Sequence, residues 1–317
     1  MNSWRMGKKG IFFTLIALTL VAILIIVFAR TINTSKDSGA TFTRIQFIDA
    51  FVKDAQDSFL PLASRASSYR AIQAASAYMN ATGQFLQDPE HDLASAMVNG
   101  TIGADAVMVN STLTNFTDYL EILAKESHGI DMEITVHDAR FSQSSPWQVD
   151  IEVNASILAI GDVGNWSREG LLIRSSVPIE GFYDPQYLVG GAGYGHIFQK
   201  SNFSAGPWNL SMLDSLITQG EYLRIEGSSA PSFLERFKST PLSSECCAIE
   251  STIEPDRVSP SDQQKSYVDY QFFADSVACE DLYSISSGNF PHPGFKLDFA
   301  HVVLYNVSAY AQEITCI

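Results

Sequence analysis

The residue pattern most able to carry chemistry is a set of side-chain amides. Asn33, Asn80, Asn99, Asn110, Asn115, Asn154, Asn165, Asn202, Asn209 and Asn306 each stand two positions before a serine or threonine with no proline between, ten of the twelve asparagines in the chain. Chance pairing with the available serines and threonines gives far fewer. The side-chain nitrogen of such an asparagine accepts an N-linked glycan, a bulky polar group that needs a solvent-facing position in a compartment holding an oligosaccharyltransferase. The set therefore predicts export and glycosylation.

The other reactive residues organise less chemistry. Cys246, Cys247, Cys279 and Cys316 all fall in the last quarter of the chain. An even set in an exported protein reads as disulfides, and a bond between adjacent cysteines is strained, so Cys246 and Cys247 are each expected to pair with one of Cys279 and Cys316. A metal site is the alternative, but no CxxC spacing or nearby histidine accompanies them. His91, His128, His137, His196, His292 and His301 are scattered without metal-binding spacing. Gly190 to His196 is glycine-rich but lacks the GK[ST] ending of a phosphate loop, and reads as a flexible loop. Asp88-Pro89-Glu90-His91-Asp92 gathers acids that either draw a cation or cap a helix. With no GxSxG elbow and no cysteine–histidine pairing, the reading is a protein that is not an enzyme, with no cofactor and no metal.

These groups must be positioned by a chain with two very different ends. Residues 1–36 hold five basic residues and no acid, whereas the remainder sets 15 basic residues against all 35 acidic ones, a balance of minus 20. Such a surface repels phosphate backbones, which argues against nucleic acid as a partner. Ile11 to Ala29 is an uncharged apolar run of 19 residues, about the length of helix that crosses a bilayer core. Arg5, Lys8 and Lys9 precede it, so the N-terminus is expected to stay in the cytoplasm and the bulk to lie outside. A cleaved secretory signal is the rival, yet Val27-Phe28-Ala29 offers no small-x-small cleavage site. The lipid bilayer is thus the first expected partner.

Lys8-Lys9-Gly10 followed directly by Ile11-Phe12-Phe13 resembles the class III signal of type IV pilin-like proteins, the archaeal ones in particular. The resemblance implies cleavage between Gly10 and Ile11 by a prepilin-type peptidase, and an apolar helix that serves first as anchor and then as the packed core of a filament. It would make identical or related subunits, in a filament or surface layer, the further partners. Val177-Pro178-Ile179-Glu180-Gly181 leading into Asp184-Pro185, then Ser232-Phe233-Leu234, Ile249-Glu250-Ser251 and Val268-Asp269-Tyr270, are similar to segments of uncharacterised archaeal surface proteins with the same kind of N-terminus. No biochemical activity is implied by that likeness.

Beyond the polar connector the apolar residues Ile45, Ile48, Val52, Ala55 and Phe59 keep helical spacing and predict an amphipathic helix. Pro61 is expected to kink or split it, and helix resumes over Ser64 to Met79 until Gly83. Two more helices are expected near Asp88 to Val98 and Leu113 to Ser127. Period-two alternation then takes over at Met132, Ile134 and Val136 and at Val149 to Ile157, followed by a turn at Gly161 to Asn165 and a third strand through Leu171, Ile173 and Val177. A short helix at Leu210 to Ile217 and a strand from Phe295 to Tyr305 complete the expectation. The fold class is α+β: an N-terminal transmembrane helix, a helical segment packed on an antiparallel β-meander, and a β-rich, disulfide-containing C-terminal region. The organisation is residues 1–30 cytoplasmic tip and membrane helix, 31–42 linker, 43–190 extracellular α+β head, and 191–317 C-terminal extracellular region. The function expected is that of a single-pass, N-glycosylated cell-surface protein, structural or adhesive, with an extracellular ligand-binding or sensory domain as the alternative.

Overall fold

The structure, a computed structural model, describes residues 39–190, 195–203, 208–224, 229–259 and 262–314. Among these no helix is long and apolar enough to cross a membrane. The Ile11–Ala29 run, Gly10 and Asn33 lie outside them.

The head is built on one long helix. Helix α1 covers residues 39–54, a π-helical stretch Ala55–Phe59 follows, and α2 continues over Leu60–Thr82. At 1.5 Å per residue the whole spans about 65 Å. Pro61 does not break it. A proline lacks the N–H for the preceding turn and its ring crowds the carbonyl there, and the widened π turn immediately before it makes the room. Of the expected apolar stripe, Ile48, Val52 and Ala55 are buried, Phe59 is half-buried and Ile45 is exposed. Gly83 ends the helix in the left-handed conformation, φ 67°, as its missing Cβ permits.

Helix α3 (Pro89–Asn99) and α4 (Leu113–His128) flank a two-stranded ribbon, β1 (Thr101–Ile102) with β2 (Asp105–Ala106). The main sheet is an antiparallel meander in the order β3 (Asp131–Ser145), β4 (Gln148–Gly161), β5 (Gly164–Pro178). One face is covered by α2, while α3 and α4 pack on β3. Along β4 the residues Val149, Ile151, Val153, Ala155, Ile157 and Ala159 are buried and the intervening ones face outward. The face of α2 turned inward is Ala63, Ser64, Ser67, Ser68, Ala71, Ile72, Ala75, Ser76 and Met79. The alanines and serines among them let the helix axis approach the strands closely. The serines are satisfied within the helix or across to the sheet, Ser68 Oγ donating to the Ser64 carbonyl at 2.7 Å and Ser64 Oγ sharing a hydrogen bond with Ser175 Oγ at 3.1 Å, so burying them costs little.

The C-terminal half is not β-rich as expected. It consists of short helices, α5 (Pro185–Val189), α6 (Leu210–Gln219), α7 (Asp269–Ala274) and α8 (Phe299–Leu304), and a small sheet in the order β7 (Lys296–Asp298), β6 (Leu282–Ile285), β8 (Ala311–Glu313), joined by long irregular segments. The strand expected from Phe295 to Tyr305 is strand only to Asp298. There the Asp298 side chain accepts from the His301 backbone N–H at 2.9 Å and caps α8, a local bond that outcompetes extension. This half has its own apolar cluster, with Trp208, Leu213, Leu216, Tyr267, Phe295, Leu297 and Tyr305 at its centre. The coarse expectation, helices packed with an antiparallel sheet, holds.

Candidate functional site

Nine of the ten sequon asparagines fall within the described residues, and all nine are exposed: Asn80, Asn99, Asn110, Asn115, Asn154, Asn165, Asn202, Asn209 and Asn306. They sit on every kind of element. Asn80 is in the last turn of α2, Asn154 is in the central strand on its outer face, and Asn165 lies just past the β4–β5 hairpin. Asn115 and Asn209 also cap helices through Oδ1, which leaves Nδ2, the atom a glycan would occupy, outside those bonds. Asn306 differs, since its Nδ2 donates to the Trp208 carbonyl at 2.8 Å.

The cysteine expectation is overturned in part. Cys246 is bonded to its neighbour Cys247, not to Cys279 or Cys316. The ring this closes lies against β3, where both sulfurs sit 3.4–3.5 Å from the Gln143 carbonyl oxygen. Cys279 is disulfide-bonded as well, and Cys316 lies outside the described residues. The loop that carries the pair is tied to a neighbouring stretch, Ser244 N–H donating to the Ala230 carbonyl and Ile249 N–H to that of Pro231.

Asp88 accepts from the His91 backbone N–H at 3.2 Å and is the N-cap of α3, so the acidic cluster there is a helix start. Gly190 closes α5, and Gly191 to Tyr194 lie outside the described residues. No group of three or more His, Cys, Asp or Glu side chains among the described residues is arranged to hold a metal ion.

What sequence reasoning missed is a buried polar network that ties together distant stretches of the C-terminal half. Arg236 is fully buried, its Nη1 lying 2.6 Å from Asp184 Oδ2 and 2.8 Å from Asp269 Oδ2, and its Nη2 donating to the Ile249 carbonyl at 2.5 Å. The rings of Phe198 and Tyr222 flank the guanidinium. Tyr222 donates to Asp184 at 2.7 Å, and Ser251 donates to Asp269 at 3.0 Å. Burial by itself lowers the Arg236 pKa, and the two carboxylates more than reverse that, so it remains a cation. Burial, with Asp184 close by, pushes Asp269 up to about 6 in spite of the guanidinium.

A second knot lies nearby. Tyr305 donates to the fully buried Glu250 at 2.7 Å, and His301 is held between Asp298, 2.6 Å from Nδ1, and Glu250, 3.4 Å from Nε2. Burial works against the charged ring, but the two carboxylates carry His301 up to about 10, and the same contact holds Asp298 down at about 2 against its own burial. His196, lowered by burial, sits with Nε2 on the Gly220 carbonyl and Nδ1 3.3 Å from the Tyr222 hydroxyl. In both histidines each ring nitrogen already has a protein contact. These contacts fix the orientation of both rings.

Several of the short segments singled out in the sequence downstream of residue 177 converge here. Asp184, Ile249, Glu250, Ser251 and Asp269 all contribute to the network, and the Ser232 and Phe233 carbonyls receive the Arg236 backbone N–H. A sequence signal did exist, a lone arginine between aromatic residues in Phe233-Leu234-Glu235-Arg236-Phe237. Its partners are dozens of positions away.

The described surface also carries an open groove along α2, of about 880 Å³, walled by Leu62, Arg65, Tyr69, Arg70, Phe116 and Val177. Compared with protein-family models, curated proteins and solved structures, the chain matches none.

Proposed function

We propose that this chain is a single-pass, membrane-anchored, N-glycosylated extracellular surface protein with a structural or adhesive role, able to serve as a subunit of a pilin-like filament. The observation that carries the reading is how the long helix leaves the head. Residues 39–43 are exposed on every side, the helix runs unbroken from there to Thr82 beneath the sheet, and in the sequence the apolar run Ile11–Ala29 stands just upstream. Arg44 pins the exit, with Nε 3.1 Å from Asp162 and Nη2 donating to the His128 carbonyl at 2.5 Å. A rigid rod rooted in a packed head and preceded by an apolar segment is a means of holding that head off a lipid surface.

The exposure of the nine described sequon asparagines supports the same orientation, because a glycan needs solvent. Terminal sequencing and glycopeptide mapping of native protein test the reading. A mature N-terminus at Ile11 is the filament outcome, with the peptidase cutting after Gly10. A membrane-bound protein still starting at Met1 retains the anchor and removes the filament. Unglycosylated protein in the cytosolic fraction overturns the proposal.

A further inference from the structure

The outer face of the main sheet carries three aliphatic side chains left partly open to solvent: Leu158, Ile160 and Leu172, exposed by 37%, 44% and 54%. An antiparallel sheet with one wet face ordinarily places polar groups there, and an uncovered apolar patch normally marks a surface that something occupies. The strand register shows what stands beside them. Asn154 on β4 is the direct cross-strand partner of Leu172 on β5, and Asn165 on β5 is the direct partner of Ile160 on β4. Directly paired residues on one face have Cβ atoms about 5 Å apart. Two of the three aliphatics are therefore immediate neighbours of a sequon asparagine, and Leu158 lies between them along β4.

The other side of the patch carries three acids, of which Asp131 is ion-paired with Lys125 at 2.9 Å and Asp138 with Arg140 at 2.8 Å. On β3, Asp131 pairs with Ile160, Glu133 with Leu158 and Asp138 with Asn154. A neutral saccharide suits the surroundings. The C–H faces of its rings are apolar enough to lie on aliphatic side chains, and its hydroxyls donate to carboxylates at the rim.

We propose that the glycans on Asn154 and Asn165 fold back over the sheet and cover Leu158, Ile160 and Leu172, so that the sugar completes the outer layer of the head. This rests on the glycosylated reading above. The test compares full-length protein purified from its native cells with its N154Q/N165Q variant, using fluorescence of a dye that binds exposed apolar surface, after mass spectrometry has established occupancy at both sites. Dye binding is expected to rise several-fold in N154Q/N165Q, to return to the original level when L158T, I160T and L172T are added, and to stay unchanged in N202Q. If N154Q/N165Q aggregates, recovery of soluble protein by the same three threonine substitutions supports the proposal and failure to recover overturns it. Sugar present at both sites with dye binding unaltered in N154Q/N165Q overturns the covering alone. Absence of sugar at both sites overturns it together with the glycosylated reading of this face.

Discussion

The two halves of the head are held together in opposite ways. In residues 39–178 regular helices and strands satisfy the backbone internally, and side chains need only fill space, so the buried face of α2 is mostly alanine and serine. In residues 179–314 regular elements are short, and the chain is fixed where charged and hydroxyl side chains reach across to distant segments. The difference shows what replaces secondary structure when it is scarce. A buried ion cluster adds little net stability over a well-packed apolar one, but breaking it by removing one partner leaves a buried charge uncompensated. Asp184, Arg236, Ile249 and Asp269 come from four separate stretches, and the network specifies how those stretches meet.

The sharpest way to break this comparison is to remove the cation. In R236M two buried carboxylates, Asp184 and Asp269, face each other without their partner, which should cost about 3–5 kcal/mol. Hydrogen exchange should show protection lost first around β6 and α7 while β4 keeps its own. Adding D184N and D269N removes the stranded charge and should recover much of the loss. The D184N side chain keeps an oxygen that can cap α5, where Asp184 now accepts from Gln186 N–H. Uniform loss of protection in both halves would mean that the halves share one source of stability.

The same contrast explains what the sequence disclosed. Alternation from Val149 to Ile157 marked β4 because a sheet with one buried face imposes a period of two, and Leu113 to Ser127 was legible as a helix for the equivalent reason. The continuity of α1 and α2 through Pro61 was not legible, since it depends on a π turn that leaves no mark in residue types. The Phe295–Tyr305 segment alternated well enough to resemble a strand, but one side-chain bond at Asp298 turned it into helix. Arg236 and its partners could not be joined beforehand, because nothing local connects position 184 with 236 or 269. The bond between Cys246 and Cys247 escaped because the strain expected of adjacent cysteines argued against it. The sequons needed no tertiary information at all.

A pH titration separates the halves next. His301 is raised from 6.5 to about 10, so the folded form holds a proton that the unfolded chain releases; the stabilisation is complete below pH 6.5 and disappears as pH rises through about 10. Asp298, lowered to about 2, contributes above its ordinary 3.8 and loses that contribution as pH falls through about 2. Asp269, raised to about 6, gives a separate loss at lower pH, since its folded-state advantage is complete below 3.8 and gone above about 6. Stability of the C-terminal half should therefore fall by a few kcal/mol between about pH 6 and 10. The H301Q variant should flatten most of that slope when unfolding is followed by denaturant titration at a series of pH values.

The smallest effect lies at Asn115, where a single residue serves both the local economy of the first half and its surface chemistry. Its Oδ1 accepts from Thr112 Oγ1 at 2.7 Å and from the Thr112 backbone N–H at 3.3 Å, while its own N–H donates back to Thr112 Oγ1 at 3.1 Å, closing a capping box at the start of α4. N115A removes the cap acceptor and the sugar site together, and should destabilise by about 0.5–1 kcal/mol. N115D removes only the sugar site: a carboxylate keeps the acceptor and adds a favourable charge at a helix N-terminus. Thermal unfolding of the unglycosylated proteins should thus rank N115D at or above the parent and N115A below it. In glycosylated material both variants lose the same sugar, so whatever gap remains between them is the cap alone. A gap near that size, with β6 and α7 undisturbed in hydrogen exchange, is what a half assembled from small, local and separable contributions requires. A loss spreading to the Arg236 network would show instead that α4 and the ion cluster answer to one another.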